Sequence, residues 1–385
     1  MNRQIYRTLT WITCISALLF IPFLGGIPLF DWDEVNFAEV AREMILTGDH
    51  SRPYIDFVPF WEKPPLSFWM QALSMQIWGI NDFAARLPNA LCGIVSLNVL
   101  YIIGRRLYDH RFGLLWVLAY GGSLLPHLYF RSGIIDPWFN LFIFTSLYFL
   151  FRKSSVQSTL IAGVLLGLAV LTKGPVAFLI VLLVVLSYWI LRRFRGDLSV
   201  GRFIVYSITA AFVFGTWYGV ETIRNGPWFV MEFTRYQWEL LIKPGAGHSG
   251  FPGYHVVVLL FGCFPASVLA IQPLFRRTGG NELQRKFKLW MCILLLVVLV
   301  LFSIVQSKIV HYSSLCYFPL TFLATLYVWD LLQEQGRLGM WQKLGINAIA
   351  LLFLIAGVLL VGFGQKPESG YTFSSGSLES EIIGN

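Results

Sequence analysis

The sequence is poor in charged residues. Only 13% of its 385 residues are Asp, Glu, Lys or Arg, whereas a soluble domain carries about 25%. Hydrophobic residues make up 56% of the chain. This composition excludes a soluble globular protein and predicts an all-α protein that crosses a membrane many times.

Cysteine motifs and nucleotide-binding motifs are also missing. The five cysteines lie inside apolar runs without CxxC or zinc-ligand spacing, so we expect neither a disulfide framework nor a thiol site. The sequence contains no Walker loop, no HExxH and no glycine-rich dinucleotide turn, which excludes the usual soluble nucleotide chemistry. Basic loops beside anionic lipids explain the net charge of +8, so no nucleic-acid partner is required.

Apolar segments recur along the chain, and about eleven of them approach the ~20 residues that cross a bilayer as a helix. The first follows Arg3 and Arg7 as a signal peptide would, but it lacks an A-x-A cleavage site, so we expect a retained helix. Several others are short enough to be shifted or re-entrant. The segments lie near 8–28, 87–104, 112–129, 134–151, 156–172, 175–191, 203–221, 254–274, 289–306, 311–330 and 344–363.

The distribution of charge sets the expected orientation. With the N-terminus in the cytoplasm, the inner loops hold 18 of the 29 Lys and Arg residues but only 5 of the 21 Asp and Glu residues. Basic residues resist translocation, so this bias supports that orientation. The loops that mix acids, bases, histidines and aromatics then face the extracytoplasmic side, and we expect the chemistry there.

The most polar stretch is residues 31–65, with eight acidic and three basic side chains. Asp31, Asp33 and Glu34 stand where a helix should begin, because the free N–H groups of a first turn favour carboxylates. Apolar residues follow at three- and four-residue spacing, as in an amphipathic helix. These are Phe37, Val40, Ala41 and Met44.

A second amphipathic helix is predicted after Glu62 and Lys63. It should begin at Pro64 and Pro65 and end before Gly79. Its apolar face would hold Phe68, Trp69, Ala72 and Leu73. Two such helices fit an arrangement in which both lie on the membrane surface.

Asp136 is a carboxylate at the start of an apolar helix. An ionisable group at membrane depth costs about 2–3 kcal/mol, so it needs a partner or a task. A plain helix N-cap, with Pro137 at the next position, explains it equally well. A second outer-loop acid, Asp33, shifts the balance towards a functional pair.

Four cations are predicted at the same outer interface. They could simply extend to the lipid headgroups, but together they suit a lipid phosphate or pyrophosphate. The four are Lys63, Arg131, Lys173 and Lys308. His248 lies in a glycine-rich loop, where it is either a solvated histidine or, beside a carboxylate, a metal ligand or an acid and base.

Several motifs together resemble the C-type, polyprenyl-phosphate-dependent glycosyltransferases. The resemblance extends to the lipid A aminoarabinose transferases and, more remotely, to the protein O-mannosyltransferases, and it runs in order from about residue 8 to 330. The motifs are Asp33-Glu34, residues 37–44 (FAEVAREM), Glu62-Lys63-Pro64-Pro65-Leu66, Asp136, Thr172-Lys173-Gly174-Pro175 and Ser307-Lys308. The resemblance implies a bacterial inner-membrane enzyme whose first outer loop builds the active site.

The resemblance also implies roles for single residues. Asp33 would be the catalytic carboxylate and Asp136 its catalytic partner, while Lys63 would contact the donor phosphate. Arg131, Lys173 and Lys308 would surround that phosphate. Supporting positions would be Glu34, Glu62, Arg235 and Tyr312. Glu62 and His248 would hold one divalent ion, either Zn, Mg or Mn.

The sequence departs from the family pattern at three places. Asn36-Phe37 stands where aminoarabinose transferases have Arg-Tyr, which indicates a different sugar or acceptor. Glu232-Phe233 stands in place of a Glu-His pair. The third departure is a polar tail, 364–385, in place of a large extracytoplasmic domain.

The predicted transferase domain covers residues 1–363, with two large outer loops at 29–86 and 222–253. Its donor would be a sugar on a polyprenyl phosphate, and its acceptor a lipid or a cell-envelope glycan, with protein as an alternative. Two other classes stay open, a flippase for a lipid-linked precursor and a non-catalytic assembly subunit. A transporter usually shows internal repeats. We find no convincing repeat, and this favours the enzyme.

Overall fold

The computed structural model describes residues 3–152, 155–194, 198–242, 250–276 and 279–364. In these ranges the regular secondary structure is helical apart from one short hairpin, which confirms the all-α class. The helices are α1 Arg3–Phe20, α2 Trp32–Thr47, α3 Leu66–Trp78, α4 Asp82–Leu107, α5 His110–Gly121, α6 Leu124–Tyr129, α7 Asp136–Arg152, α8 Val156–Lys173, α9 Val176–Leu191, α10 Val200–Asn225, α11 Trp228–Ile242, α12 Tyr254–Gly262, α13 Ala266–Phe275, α14 Glu282–Ile304, α15 Tyr317–Gln333 and α16 Met340–Gly364. A 3₁₀ helix, Val310–Cys316, precedes α15.

Six helical segments in the described ranges are long and apolar enough to cross a membrane, and a bent pair, α12 and α13, makes up to seven. The multi-pass architecture is therefore confirmed, while the count of about eleven spans stays a prediction. Two of the predicted segments are broken. The segment 112–129 divides into α5 and α6 around Gly122, and α12 meets α13 at 117°.

The chain divides into two compact units, residues 1–338 and 339–385. In the first unit, α7 packs on α8 and α8 packs on α10. Gly163 and Gly167 on α8 permit the close approach of α10, because a Cβ at either position would lie within 2.7 Å of an α10 atom. The second unit contains α16. The predicted limits of the transferase domain and its loops stay predictions.

Helix α2 forms as the sequence predicts. Asp31 is its N-cap, and its carboxylate accepts the backbone N–H of Asp33 at 3.0 Å. The helix ends at Gly48, which adopts φ +70°. The predicted apolar residues Phe37, Val40, Ala41 and Met44 are all buried.

Helix α3 has the predicted ends but a different buried face. Pro65 precedes it and Gly79, at φ +81°, follows it. Phe68 and Ala72 are buried in the protein, whereas Leu73 is 59% exposed, so the protein interior covers only part of the predicted apolar face. Gln71 is buried instead, because its amide donates to two backbone carbonyls. The position of α2 and α3 at the membrane surface stays a prediction.

A two-residue hairpin orders the segment between α2 and α3. Strand β1 Tyr54–Ile55 pairs antiparallel with β2 Val58–Pro59. Asp56 and Phe57 form the turn with φ of +53° and +57°, and the Phe57 N–H donates to Glu43 Oε2 at 3.0 Å. This bond ties the hairpin to α2, a few residues before the predicted functional residue Lys63.

Candidate active site

Asp33 and Asp136, the predicted catalytic acids, face one histidine. Asp33 lies in the first turn of α2, Asp136 is the first residue of α7, and His311 lies in the 3₁₀ helix. The Nε2 atom of His311 lies 3.3 Å from Asp33 Oδ2 and 3.7 Å from Asp136 Oδ2. Three segments that are far apart in the sequence therefore meet at a single ring.

Lys173 neutralises Asp136. It is the last residue of α8, and its Nζ lies 2.6 Å from Asp136 Oδ1. The same ammonium lies 4.8 Å from the ring centre of Tyr312 and 5.7 Å from that of Phe139. Asp136 is thus paired rather than serving only as a helix cap, and Lys173 and Tyr312 join the site as predicted neighbours.

Lys63 approaches the site from the loop before α3. Its Nζ lies 3.7 Å from Glu62 Oε2 and 5.3 Å from the ring centre of Tyr236 on α11. The side chain is only 12% exposed. Glu62 is therefore the carboxylate partner of this lysine, and Tyr236 closes the other side.

The electrostatics of the site keep Asp33 ionised. Burial alone would raise the pKa of Asp33, but the contact with His311 and the attraction of Lys63 and Lys173 outweigh it, so the pKa lies below its usual value. Burial lowers the pKa of Lys63 more than Glu62 and Asp33 raise it. A bound anion would favour the charged form of that lysine.

Glu34, the residue after Asp33, is fully buried. Its carboxylate receives two bonds from Arg86, Nε to Oε1 at 2.7 Å and NH2 to Oε2 at 2.9 Å. The Gly133 N–H donates to Oε1 at 2.6 Å. Arg86 also donates to the carbonyls of Leu24, Ile27 and Pro28. Glu34 thus joins α2 to α4 and to the loop before Asp136.

The loop that precedes Asp136 is held from three sides. Gln71 donates to the Gly133 carbonyl at 3.0 Å, and Asn89 donates to the carbonyls on either side, Ser132 at 2.7 Å and Ile134 at 2.6 Å. Together with Glu34, these amides fix the loop backbone. This fixes the start of α7 and so the position of the Asp136 carboxylate.

A cavity of about 380 Å³ opens beside the acids. Aliphatic and aromatic side chains form much of its lining, and the polar lining residues are Lys63, Lys173, Thr234, Gln237 and Tyr312. Such a cavity suits an amphiphile with an anionic head and a hydrocarbon chain. Its lining comprises Lys63, Lys173, Pro175, Val176, Leu179, Phe233, Thr234, Gln237, Leu301, Phe302, Val305 and Tyr312.

Three of the predicted cations are not brought to the acid pair. Lys308 donates to the carbonyls of Phe302, Ser303 and Val305, at the end of α14. Arg131 donates to the carbonyls of Leu19 and Pro22, at the end of α1. Arg235 is mostly exposed and pairs with Glu239. The helix carbonyls bind Lys308 and Arg131 because a helix ends with unpaired acceptors.

The predicted metal site rests on a residue that the structure does not describe. His248 lies outside the described ranges. Within those ranges no group of three or more His, Cys, Asp or Glu side chains is placed to hold a metal ion. Glu62 lies 3.7 Å from the ammonium group of Lys63. The predicted divalent ion stays untested.

Comparison with known sequences finds similarity to lipid-phosphate glycosyltransferases. The profile of the dolichyl-phosphate-mannose-protein mannosyltransferase family matches residues 62–217. An undecaprenyl phosphate-α-4-amino-4-deoxy-L-arabinose arabinosyl transferase of Pseudomonas aeruginosa is 28% identical over 329 residues. The match covers 82% of this chain but 59% of that protein, less than two thirds of its length. The corresponding Pectobacterium atrosepticum transferase is 26% identical over 388 residues, covering 95% and 68%.

The solved structures decide the fold. ArnT from Cupriavidus metallidurans, bound to undecaprenyl phosphate, superimposes with a TM-score of 0.78 at 21% identity. The match covers 94% of this chain and 66% of ArnT. The chain has the C-type glycosyltransferase fold. A more distant example is the archaeal oligosaccharyltransferase AglB from Archaeoglobus fulgidus, with a TM-score of 0.54, 14% identity and coverage of 93% and 55%.

His311 is a residue of the site that the sequence motifs missed. It follows Lys308 in an outer segment, SKIVHY, that was singled out for its lysine. The signal available was a histidine beside Tyr312 at the start of an apolar run. Nothing in the local sequence places that histidine near residues 33 and 136, because the proximity arises only when three helices pack.

Proposed function

We propose that the protein is a membrane glycosyltransferase that takes a sugar from a polyprenyl phosphate and passes it to a lipid or cell-envelope glycan. We place the reaction on the outer face of a bacterial inner membrane. One observation carries the proposal: two lysines line one cavity with aliphatic side chains, beside a pair of carboxylates. The lysines suit the phosphate and the aliphatic side chains suit the hydrocarbon chain of a lipid phosphate, and a carboxylate can take the acceptor proton during sugar transfer.

Asp33 supports the chemistry of the acceptor. In an inverting transfer, its carboxylate takes the proton from the acceptor hydroxyl as that oxygen bonds to the anomeric carbon. The bond between that carbon and the phosphate oxygen breaks, and its electron pair leaves with the polyprenyl phosphate. Asp33 suits this step because it is ionised and partly accessible, with 28% of its side chain exposed.

Lys63 and Lys173 support the departure of the phosphate. Both line the cavity, and both are largely buried. Negative charge grows on the phosphate oxygen as the sugar leaves, and ammonium groups in a poorly hydrated site stabilise it. Asp136 holds Lys173 at 2.6 Å and so fixes the place of that charge. No step is routed through a metal.

Mass spectrometry of cell-envelope lipids tests the proposal. Cells without the protein and cells carrying Asp33→Asn should both accumulate the unmodified acceptor and its polyprenyl-phosphate sugar. The mass difference between modified and unmodified acceptor then identifies the sugar. Asp31→Asn is the matched control, because Asn also caps a helix and residue 31 lies in the same turn but outside the acid pair.

The wild-type, Asp33→Asn and Asp31→Asn strains must contain equal amounts of the protein in the membrane. We expect Asp31→Asn to behave as wild type and Asp33→Asn to lose at least ~10³-fold in turnover, as for removal of a general base and its charge. Near-normal turnover by Asp33→Asn would exclude the assignment of this acid. Accumulation of an intact precursor in the inner leaflet, with transfer unaffected, would instead identify a flippase.

A further inference from the structure

His311 faces the two acids with a buried nitrogen. We infer that His311 is a positioning residue: its Nε2–H holds Asp33 through Oδ2 and leaves the other carboxylate oxygen to take the acceptor proton. The inference deepens the proposed function and rests on it. The carboxylate oxygens of Asp33 and Asp136 lie 3.3 Å and 3.7 Å from Nε2.

The ring has no competing hydrogen bond at that nitrogen. In the described part of the chain, His311 Nε2 and Asp136 Oδ2 are both buried without an aligned partner. Asp136 is already bound through Oδ1 to Lys173, so Asp33 is the nearer and less occupied acceptor. Catalytic hydrogen bonds are often loosely aligned in a resting site and become shorter in the reacting complex.

The backbone of His311 is tied to the helix that carries Asp136. Asn140 on α7 donates to Ser314 Oγ at 2.7 Å, and Ser314 Oγ in turn donates to the His311 carbonyl at 2.5 Å. Asn140 also donates to the Tyr129 hydroxyl. The histidine and Asp136 are therefore placed by one helix, and the ring approaches Asp33 from a fixed direction.

The neighbouring ion pairs leave the His311 ring as a partner for Asp33. Lys173 pairs with Asp136 at 2.6 Å, and Lys63 lies 3.7 Å from Glu62, while the Asp33 carboxylate faces the ring at 3.3 Å. Tyr312, the next residue, adds a hydroxyl near Lys173. Because both lysines are paired with other acids, the ring is the group that orients the Asp33 carboxylate. It selects which oxygen of Asp33 is free.

His311 is absent from the lining of the cavity. Its loss should therefore lower kcat while the KM for the donor stays the same. The contact with His311 also lowers the pKa of Asp33, so without it Asp33 holds its proton at higher pH. The acid limb of the pH profile should then move to higher pH.

Two substitutions separate geometry from folding. His311→Gln can place an amide N–H near the position of Nε2, whereas His311→Asn is too short to do so. We expect kcat to fall about 10-fold in the glutamine variant and about 100-fold in the asparagine variant, at unchanged donor KM, within the range for removing one element of acid–base catalysis. His127→Gln is the control, since His127 packs against Phe20 and lies outside the site.

Infrared difference spectra supply a readout that needs no turnover. The Asp33 carboxylate, whose band is identified by its loss in Asp33→Asn, should become protonated at higher pH in His311→Asn than in the wild type and in His127→Gln, with His311→Gln between them. An unchanged band position in correctly folded variants, or equal kcat in all of them, overturns the inference. A shifted band in a protein that transfers no sugar keeps the inference for Asp33 and rejects the proposed function.

Discussion

Asp33 and Glu34 are adjacent acids with different surroundings. Glu34 is fully buried and receives two bonds from Arg86 and one from Gly133. Asp33 keeps 28% of its side chain exposed, and its Oδ2 atom lies 3.3 Å from the Nε2 atom of His311. Successive residues on a helix point about 100° apart, so one acid faces the protein interior and the other faces the site.

The different partners of Glu34 and Asp33 explain how the site can be both fixed and reactive. Glu34, with Arg86, joins α2 to the residues before it, to α4 and to the loop that leads to Asp136. Asp33, which has fewer partners, keeps an oxygen available for a substrate proton. A carboxylate with every lone pair occupied is a poor base, so the two tasks require two residues.

Substitution of the buried acid, Glu34, should have the largest effect on stability. Glu34→Gln leaves the Arg86 charge buried without its carboxylate, which costs about 3–5 kcal/mol of stability. We expect a large drop in the thermal unfolding midpoint in detergent, together with loss of folded protein. Asp33→Asn should stay close to wild type in the same measurement.

Glu39→Gln is the control for that comparison. Glu39 lies one turn further along α2 and pairs with Arg42 at the surface. Loss of an exposed pair costs at most about 1 kcal/mol. If Glu34→Gln unfolds no earlier than Glu39→Gln, the scaffolding role of Glu34 is wrong.

The cations divide in the same way, and donor binding distinguishes them. Lys63 lines the cavity, whereas Lys308 donates to three carbonyls at the end of α14. Lys63→Gln should raise the donor KM about 10- to 100-fold, because a hydrogen bond between charged groups contributes about 1.5–3 kcal/mol. Lys308→Gln should leave the donor KM unchanged and lower the unfolding midpoint.

Transfer kinetics at several donor concentrations measure the difference. Since both substitutions remove one positive charge near the same end of the bundle, an effect of net charge alone would be equal in the two variants. An equal rise in KM would therefore contradict the assignment of Lys63 to the phosphate.

The sequence predicts local structure better than the meeting of distant residues. The ends of α2 follow from Asp31 and Gly48, and those of α3 from Pro65 and Gly79, because caps act over a few residues. The family motifs also indicate the fold. The burial of Gln71 did not follow from the sequence, because it depends on which face of α3 meets the loop at Gly133.

The composition of the site required the packed structure. Lys173 and Lys308 look alike as lysines at the ends of apolar runs, and only the structure shows that Lys308 turns back to the end of the preceding helix, α14. His311 could not be assigned because its partners lie more than 150 residues away in the chain. A pattern with short-range periodicity carries no information on such contacts.

Acid titration should give the smallest effect and sharpens the contrast between the neighbouring acids. The pKa of Asp33 is lower in the folded protein than its ordinary value of 3.8. A depressed folded pKa stabilises the fold above pH 3.8, and that contribution is lost as the pH falls through the folded value. The unfolding midpoints of wild type and Asp33→Asn should therefore differ slightly at pH 6 and converge below pH 3.8. In His311→Asn the difference caused by Asp33→Asn should shrink at pH 6 as well, because the main contact that lowers the pKa of Asp33 is gone. A gap that stays constant from pH 6 to pH 3 would show that Asp33 stabilises the fold by packing, as Glu34 does, and would end the distinction between the two acids.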